Sequence, residues 1–423
     1  MAEQRTKTTG RKVGIWLVGA CGGVATTLIL GLGAIRRKLA PSHGLITETA
    51  LCDGLDLVAL DRLVIGGHEI RSMTPLAAAR ELQQASQFVS DEVVKACRPL
   101  LESVRKNVKT GTALHCGAAV ENLADRALLE SRQELPAIVK QLRRDIDGFK
   151  KSNRLDHVVV VNVASTEPAY RPRAAHTQWS KLEPALERNG QSVLPASSLY
   201  AIAAVAGGHT YLNFTPSLGV DVPAIRELAA QTGALYMGCD GKTGETLMKS
   251  ALAPMFAARN LKVLSWVGHN IFGNRDGLVL DDPLNKAAKV RSKDHLISSI
   301  VGYKPQTLVS IEYIESLQDW KTAWDFIHFA GFLNTKMSLQ FVWSGADSVL
   351  AAPLVLDMVR LADHARCAGE TGPMPQLACF FKSPMDVDEQ NFFRQFDALR
   401  GYLADAIRTR HAKKPRTRKR VTR

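Results

Sequence analysis

The chain has 423 residues, 46% of them hydrophobic and 22% charged, a balance that excludes a disordered or fibrous protein and leaves room for two or three domains. Its seven cysteines form no CxxC pair and no metal-type spacing, which argues against a disulfide framework or a zinc site and for a reduced, cytoplasmic setting. The net charge of +13 is concentrated: Arg408 to Arg423 carries nine Lys or Arg and no acid, and this apolar-poor stretch reads as a basic, disordered tail.

Val13 to Ile35 is uncharged and long enough to span a bilayer, but it holds six glycines and divides into two periods. "KVGIWLVGA" is a short apolar run suited to a buried parallel strand, and "GVATTLILGLGAIRRKL" reads as a helix with its basic residues in the last turns. Strand, glycine turn and helix open a nucleotide-binding βαβ unit, so no membrane span is expected. In "GACGGVATT", Gly19, Gly22 and Gly23 suit a tight turn whose backbone N–H groups face a pyrophosphate, although Cys21 takes the place of the second glycine of GxGxxG. "GLDLVALDRLVIGGHEI" reads as a strand region ending at Glu69, an acid placed to accept from ribose hydroxyls.

Residues 75 to 151 show helical spacing, and "LDHVVVVNVAST" is an unbroken buried strand. "SSLYAIAAVAGG" predicts a helix capped by a serine and stopped by Gly-Gly, "TYLNFTPS" a strand and turn, and "VPAIRELAAQTGA" an amphipathic helix. "LYMGCDGKTGET" predicts a strand breaking into a glycine turn. The alternation implies a parallel sheet with helices on both faces. After Thr246 the pattern changes to a helix and alternating strands, "TLVSIEYIES" and "MSLQFVWSG", which reads as an α+β insertion. Helices return with "SVLAAPLVLDMVRLADHARCAG" and "QNFFRQFDALRGYLADAIR".

Polar clusters at strand ends and turns supply Lys242, Lys249, Lys289, Lys293, Lys321 and Lys382, with Asp240 and Asp347. Lys289 and Lys293 are four residues apart, on one face if helical, just after the turn "GHNIFGNRDGL". Any one lysine is ordinarily solvated, whereas several in one pocket suit a phosphorylated sugar and depress one another's pKa into the range of acid–base catalysis. No nucleic-acid motif accompanies the basic tail, so the expected partner is a small anionic molecule.

From about residue 11 to 400 these motifs resemble, in order and spacing, the inositol-3-phosphate synthase (myo-inositol-1-phosphate synthase) family. "GCDGKTGETLMKS" is similar to its GDDxKSGQTxxKS stretch and "GHNIFGNRDGLVLDDP" to its YNxLGNxDGxNLxxP turn; Lys289 and Lys293 fall at its KEISK lysines. "DWKTAWDFIHFAGF", "ADSVLAAPLVLDM" and "FFKSP" resemble DSKxAxDEY, EDSLLAxPLxxDL and the WLKAP lysine, and "ASTEP" and "SSLYAIAA" resemble its NTE strand end and STLYAIA helix.

The resemblance implies an α/β fold: a Rossmann-type NAD-binding domain (11–247 and 349–407) interrupted by an α+β catalytic and tetramerisation domain (248–348), in a homotetramer. It implies an NAD-dependent cyclisation of glucose 6-phosphate: oxidation at C5, enolisation, aldol closure onto C1, and re-reduction. The alternative is a sugar-phosphate oxidoreductase, or a cyclase for a different phosphorylated sugar. Catalytic roles are implied for Lys289, Lys382, Lys293, Lys321, Asp240, Asp347 and Asn270. Cofactor contacts are implied for Gly19, Gly22, Gly23, Thr26, Glu69, Thr166 and Asp347, and phosphate contacts for Thr243, Gly244, Glu245, Asn274, Lys293 and Lys321. No metal ligand is implied. The chain departs from the family pattern at Cys21 and Ala25, which stand for glycines, and at Glu245, which stands for a glutamine.

Overall fold

The computed structural model describes residues 10–130, 134–168, 170–188, 194–273 and 296–413. Strand β1 (Val13–Val18) is buried at every position, and α1 (Gly23–Arg36) follows the glycine turn. The uncharged N-terminal run is thus a strand and a helix packed inside the protein. Among the described residues no helix is long and apolar enough to cross a membrane. Strand β2 (Leu63–Glu69) pairs parallel with β1, Val13 opposite Leu63. The strand region read from Gly54 shrinks to these seven residues, because Asp61 and Arg62 break the apolar run in a 3-10 turn.

Helices α2 (Pro75–Ser86) and α3 (Asp91–Asn107) begin where the side chains of Thr74 and Ser90 accept from Ala77 and Val93 N–H. Strand β3 (Val108–Thr110) was not foreseen; three residues, two of them exposed, carry no apolar signature. Then come α4 (Ala118–Glu121), α5 (Arg126–Glu130), α6 (Leu135–Asn153) and the fully buried β4 (His157–Asn162). Next are α7 (Trp179–Glu187), α8 (Ala196–Ala206), β5 (Thr210–Asn213), α9 (Pro223–Thr232), β6 (Leu235–Gly238) and α10 (Gly244–Ala258). No serine caps α8: Ser197 and Ser198 lie inside it, and their hydroxyls donate to Glu167 and to Gly219 O.

Among the described residues, the strands of the insertion are β7 (Lys262–Phe272), β8 (Gln306–Tyr313), β9 (Trp320–Ala330) and β10 (Lys336–Ala346). They form a separate sheet in the order β10-β9-β7-β8, with β7 parallel to β8 and antiparallel to β9. One face packs on α10 through Phe256, Trp266, Val263 and Ile327. Helix α11 (Asp347–Cys367) returns to lie against α1, strand β11 (Gly372–Pro373) joins the first sheet, and α12 (Phe392–Lys413) closes the described chain. The first sheet is parallel in the order β11-β6-β5-β4-β1-β2-β3. Its order reverses between β1 and β4, and a crevice at such a switch point, outside the carboxyl ends of the strands, receives a dinucleotide. Helix α12 runs past Ile407, and Arg410 in it donates to Gly54 O at 2.7 Å, so the first six residues read as tail are helical. Residues 414–423 lie outside the described set.

Candidate active site between the glycine turn and the second sheet

The glycine turn sits at the carboxyl end of β1. Gly19 has φ +86°, and its N–H and that of Ala20 donate to His68 O at 3.0 Å, which binds the turn to β2. Gly22 is the N-cap of α1; no side chain caps the helix, and its first turn holds no acid, so the N–H groups and the positive dipole end remain for an anion. Cys21 is buried with its thiol donating to Met73 O, so the side chain in the glycine's place points away from the mouth of the turn. Burial pushes its pKa up to about 12. Thr26 in α1 and Thr166 beyond β4 are both buried near this end of the sheet. These residues fit a dinucleotide. Glu69 lies where expected, but its carboxylate is fully engaged by the protein. These hydrogen bonds compete with the ribose contact that the sequence suggested.

Asp240 and Lys382 face each other because two loops are laced together. Cys239 N donates to Ser383 O at 2.8 Å, Lys382 N to Asp240 O at 2.6 Å, and Lys242 N to Phe380 O at 2.8 Å. Gly241 is required at the centre: a Cβ there would stand 2.1 Å from the Phe214 ring. Lys382 Nζ lies 2.8 Å from Asp240 Oδ1, while Asp240 Oδ2 is buried with no hydrogen-bond partner among the described residues. A cavity of about 410 Å³ opens beside Lys382, Cys239 and Met385, within the range of roughly 300–1,000 Å³ typical of small-molecule pockets. A larger one of about 590 Å³, beside β3 and α6, is lined by none of the expected site residues.

The start of α10 carries a second cluster. Glu245 and Lys249, four residues apart, meet at 2.5 Å, and Lys249 Nζ lies 3.8 Å from Asp325. Asn270 Nδ2 donates to Glu245 Oε2 at 2.7 Å, and Trp266 Nε1 to Asp325 Oδ1 at 2.7 Å. Gly268 leaves room for this: a Cβ would fall 2.5 Å from Glu245 Oε1. All these side chains are buried, yet Asn270 Oδ1 has no hydrogen-bond partner among the described residues. Thr243 is the N-cap of α10 and makes no side-chain cap, and Gly244 follows with φ +48°.

Alternation along β9 puts Lys321 on the same face as Asp325, nearer the edge of the sheet. Lys321 Nζ lies 5.2 Å from the centre of the Phe272 ring and 3.5 Å from Asp347 Oδ2. Asp347 is the first residue of α11 and not its cap; its Oδ1 is buried without a hydrogen-bond partner among the described residues. Beside it Ser348 donates to Asp319 at 2.6 Å and accepts from Thr27 of α1 at 2.9 Å. Burial raises the Asp319 pKa to about 6. A Cβ on Gly23 would sit 3.7 Å from Asp319 Oδ1. The end of the second sheet therefore abuts the helix start that suits the pyrophosphate.

The model of an NAD-binding family, described as myo-inositol-1-phosphate synthase, matches residues 13–408. The chain belongs to the myo-inositol-1-phosphate synthase family. NAD is its cofactor. An inositol-3-phosphate synthase of Bacteroides thetaiotaomicron is 35% identical over 437 residues, covering 96% of this chain and 98% of that one. One from Dictyostelium discoideum is 27% identical, covering 85% and 76%. The solved inositol-3-phosphate synthase of Caenorhabditis elegans shares the fold with a TM-score of 0.84 at 22% identity, over 94% of this chain and 86% of that one. A myo-inositol-1-phosphate synthase-related protein from Thermotoga maritima does so with 0.75 at 24%, over 93% and 99%.

Of the synthase residues expected from the sequence, Asn274, Lys289 and Lys293 lie outside the described residues. The described lysines have separate partners. Lys242 turns to α12, its amine 2.5 Å from Gln395 Oε1, and burial lowers its pKa to about 8. Lys249 is consumed by Glu245 and Asp325, while Lys321 faces Asp347 and Lys382 faces Asp240. Asp319, Asp325 and Ser348 escaped the sequence reading. An acid at an inward position of an alternating strand was the available signal for Asp325. Asp319 and Ser348 carried none, because their contact joins residues 29 apart in the chain.

Proposed function

We propose that this protein is an NAD-dependent isomerase that converts D-glucose 6-phosphate to 1D-myo-inositol 3-phosphate, serving inositol and phospholipid biosynthesis. The observation that carries this reading is the Lys382–Asp240 pair, held by laced loops beside a cavity of about 410 Å³. Bound NAD⁺ supplies the acceptor for the C5 hydride of the open-chain sugar and returns that hydride at the end. The Lys382 amine, oriented by Asp240, carries the proton to and from the C5 oxygen, with Lys289 assigned the complementary role by family resemblance. The C5 ketone acidifies the C6 hydrogen, and the enolate closes onto the C1 aldehyde. Preorganised cations stabilise the oxyanion as it forms. Lys321, with Lys293, Asn274, Thr243 and Gly244, is assigned to the phosphate. Glu245 is compatible with an anion nearby because Lys249 and Asn270 hold its carboxylate. Asp347 steadies Lys321 next to the cofactor.

Incubation of the purified protein with NAD⁺ and glucose 6-phosphate is expected to yield an acid-stable inositol phosphate without net NADH. Net NADH accumulation would point instead to a sugar-phosphate oxidoreductase, and no conversion would reject glucose 6-phosphate as substrate.

The same reading includes a homotetramer. The face of the second sheet opposite α10 carries Trp324 stacked on His269 at 5.6 Å, with Phe326, Leu308 and Val342 around it. Leu308 and Val342 are 54% and 64% exposed, and the hairpin tip presents Phe332 at 89%. Such a contiguous apolar face is a protein-interaction surface. Light scattering is expected to give four times the chain mass, and a monomer would reject the assembly. The seven free cysteines support a reducing, cytoplasmic location, which cell fractionation tests.

A further inference from the structure

The cavity of about 410 Å³ is lined by Lys382 and also by a cluster built around Arg226 of α9. The guanidinium forks: Nη2 donates to Asp221 Oδ1 at 2.7 Å and Nη1 to Asp386 Oδ1 at 2.8 Å. Asp221 stands on the loop between β5 and α9, and Asp386 on the segment that runs on from Lys382, so one side chain joins the two. That segment is fastened to the end of β6, where the N–H groups of Lys382, Ser383 and Met385 donate to Asp240, Cys239 and Gly238 O. Asp386 follows with φ +60°, a left-handed conformation that costs energy for a residue with a side chain. The bond to Arg226 holds it there.

Asp221 and Asp386 each give one oxygen to the guanidinium, and each side chain is half exposed on the cavity wall, so its other oxygen can accept from a ligand. With Asp388 the wall carries three carboxylates against one guanidinium. A phosphate dianion only accepts hydrogen bonds and is repelled by such a wall, whereas a sugar hydroxyl can donate to it. We propose that this wall sets substrate specificity: Asp221 and Asp386, held by Arg226, accept from hydroxyls of the open-chain sugar, and the phosphate is directed away from them. This rests on the reading of the reaction as cyclisation of glucose 6-phosphate and adds which end of the substrate the cavity takes.

Steady-state kinetics with glucose 6-phosphate and with its analogues lacking the C2, C3 or C4 hydroxyl, the three that take no part in the chemistry, test it. In the wild-type protein, loss of the hydroxyl that meets the wall is expected to lower kcat/KM by about tenfold to a hundredfold, the size of one hydrogen bond to a charged group. Asp386→Ala is expected to raise KM for glucose 6-phosphate by about tenfold, to leave NAD⁺ affinity within about twofold, and to abolish most of the penalty of that one analogue, because both changes delete the same contact. A merely structural defect would weaken all four sugars alike, so the ratio between them separates contact from folding. Should Asp386→Ala not fold, Arg226→Lys serves: one ammonium cannot fork to both acids, so the same discrimination relaxes in part. Deoxy penalties unchanged in a folded variant would overturn the inference and leave the cyclisation reading standing, as would wild-type turnover that ignores all three hydroxyls. Absence of turnover with glucose 6-phosphate itself would remove that reading and the inference with it.

Discussion

Lys382→Ala is expected to reduce turnover by about a hundredfold to ten-thousandfold, the contribution of a positioned acid–base group, while NAD⁺ binding stays within a few-fold of wild type. The reason lies in the division of the site. Lys382 sits on the loop after α11 and β11, laced to the strand-end that carries Asp240, and its amine pairs with Asp240 and not with the glycine turn or α1. Removing its amine takes away the proton carrier at the sugar oxygen and leaves the dinucleotide crevice intact. The variant also takes from Asp240 its ion-pair partner, so some stability is lost as well. Rapid-quench measurement of product, with dinucleotide binding by calorimetry, separates the two effects. Wild-type turnover in a folded variant would remove Lys382 from the chemistry, and loss of NAD⁺ binding would recast it as a cofactor residue.

Lys249→Met should cost about 3–5 kcal/mol of folding stability, the price of leaving buried charge uncompensated. The amine is 2% exposed, and the acids it faces, Glu245 and Asp325, are 1% and 0% exposed. Methionine keeps the length of the side chain, so the loss reports the missing charge and not a cavity. Neutralising the nearer acid as well, in Glu245→Gln with Lys249→Met, should recover a large part of it, because the two replacements act on one interaction. Urea titration of the two variants measures this. A single-variant loss below about 1 kcal/mol, the scale of an exposed ion pair, would mean that water reaches the cluster and that Lys249 does not anchor α10 to the second sheet.

Much of this architecture could be read along the chain because it is written in local patterns. The alternation of buried strands with helices from Val13 to Gly238 follows from short apolar runs that bury both faces and from amphipathic spacing between them. Glycine turns mark the starts of α1 and α10 for the same reason, since backbone conformation is a local property. The short β3 was illegible: with two of its three residues exposed, only pairing with β2 makes it a strand. Ser197 was read as a cap because its neighbours are helical, and its actual acceptor, Glu167, lies 30 residues away.

The candidate site divides along the same line. The residue types, their order and their spacing named the reaction family, because the chemistry needs lysines, acids and a phosphate-binding turn. Which acids each lysine meets was settled by distance in space. Lys249 and Lys321 look alike in the sequence, but one is neutralised by Glu245 and Asp325 in a dry interior and the other stands near the end of the sheet beside Asp347. Glu69 looked like a ribose acceptor until Arg71 and Cys21 were seen to occupy it. A side chain's identity and period are properties of the chain, whereas its free valence depends on what the fold places within about 3 Å of it, the reach of a hydrogen bond.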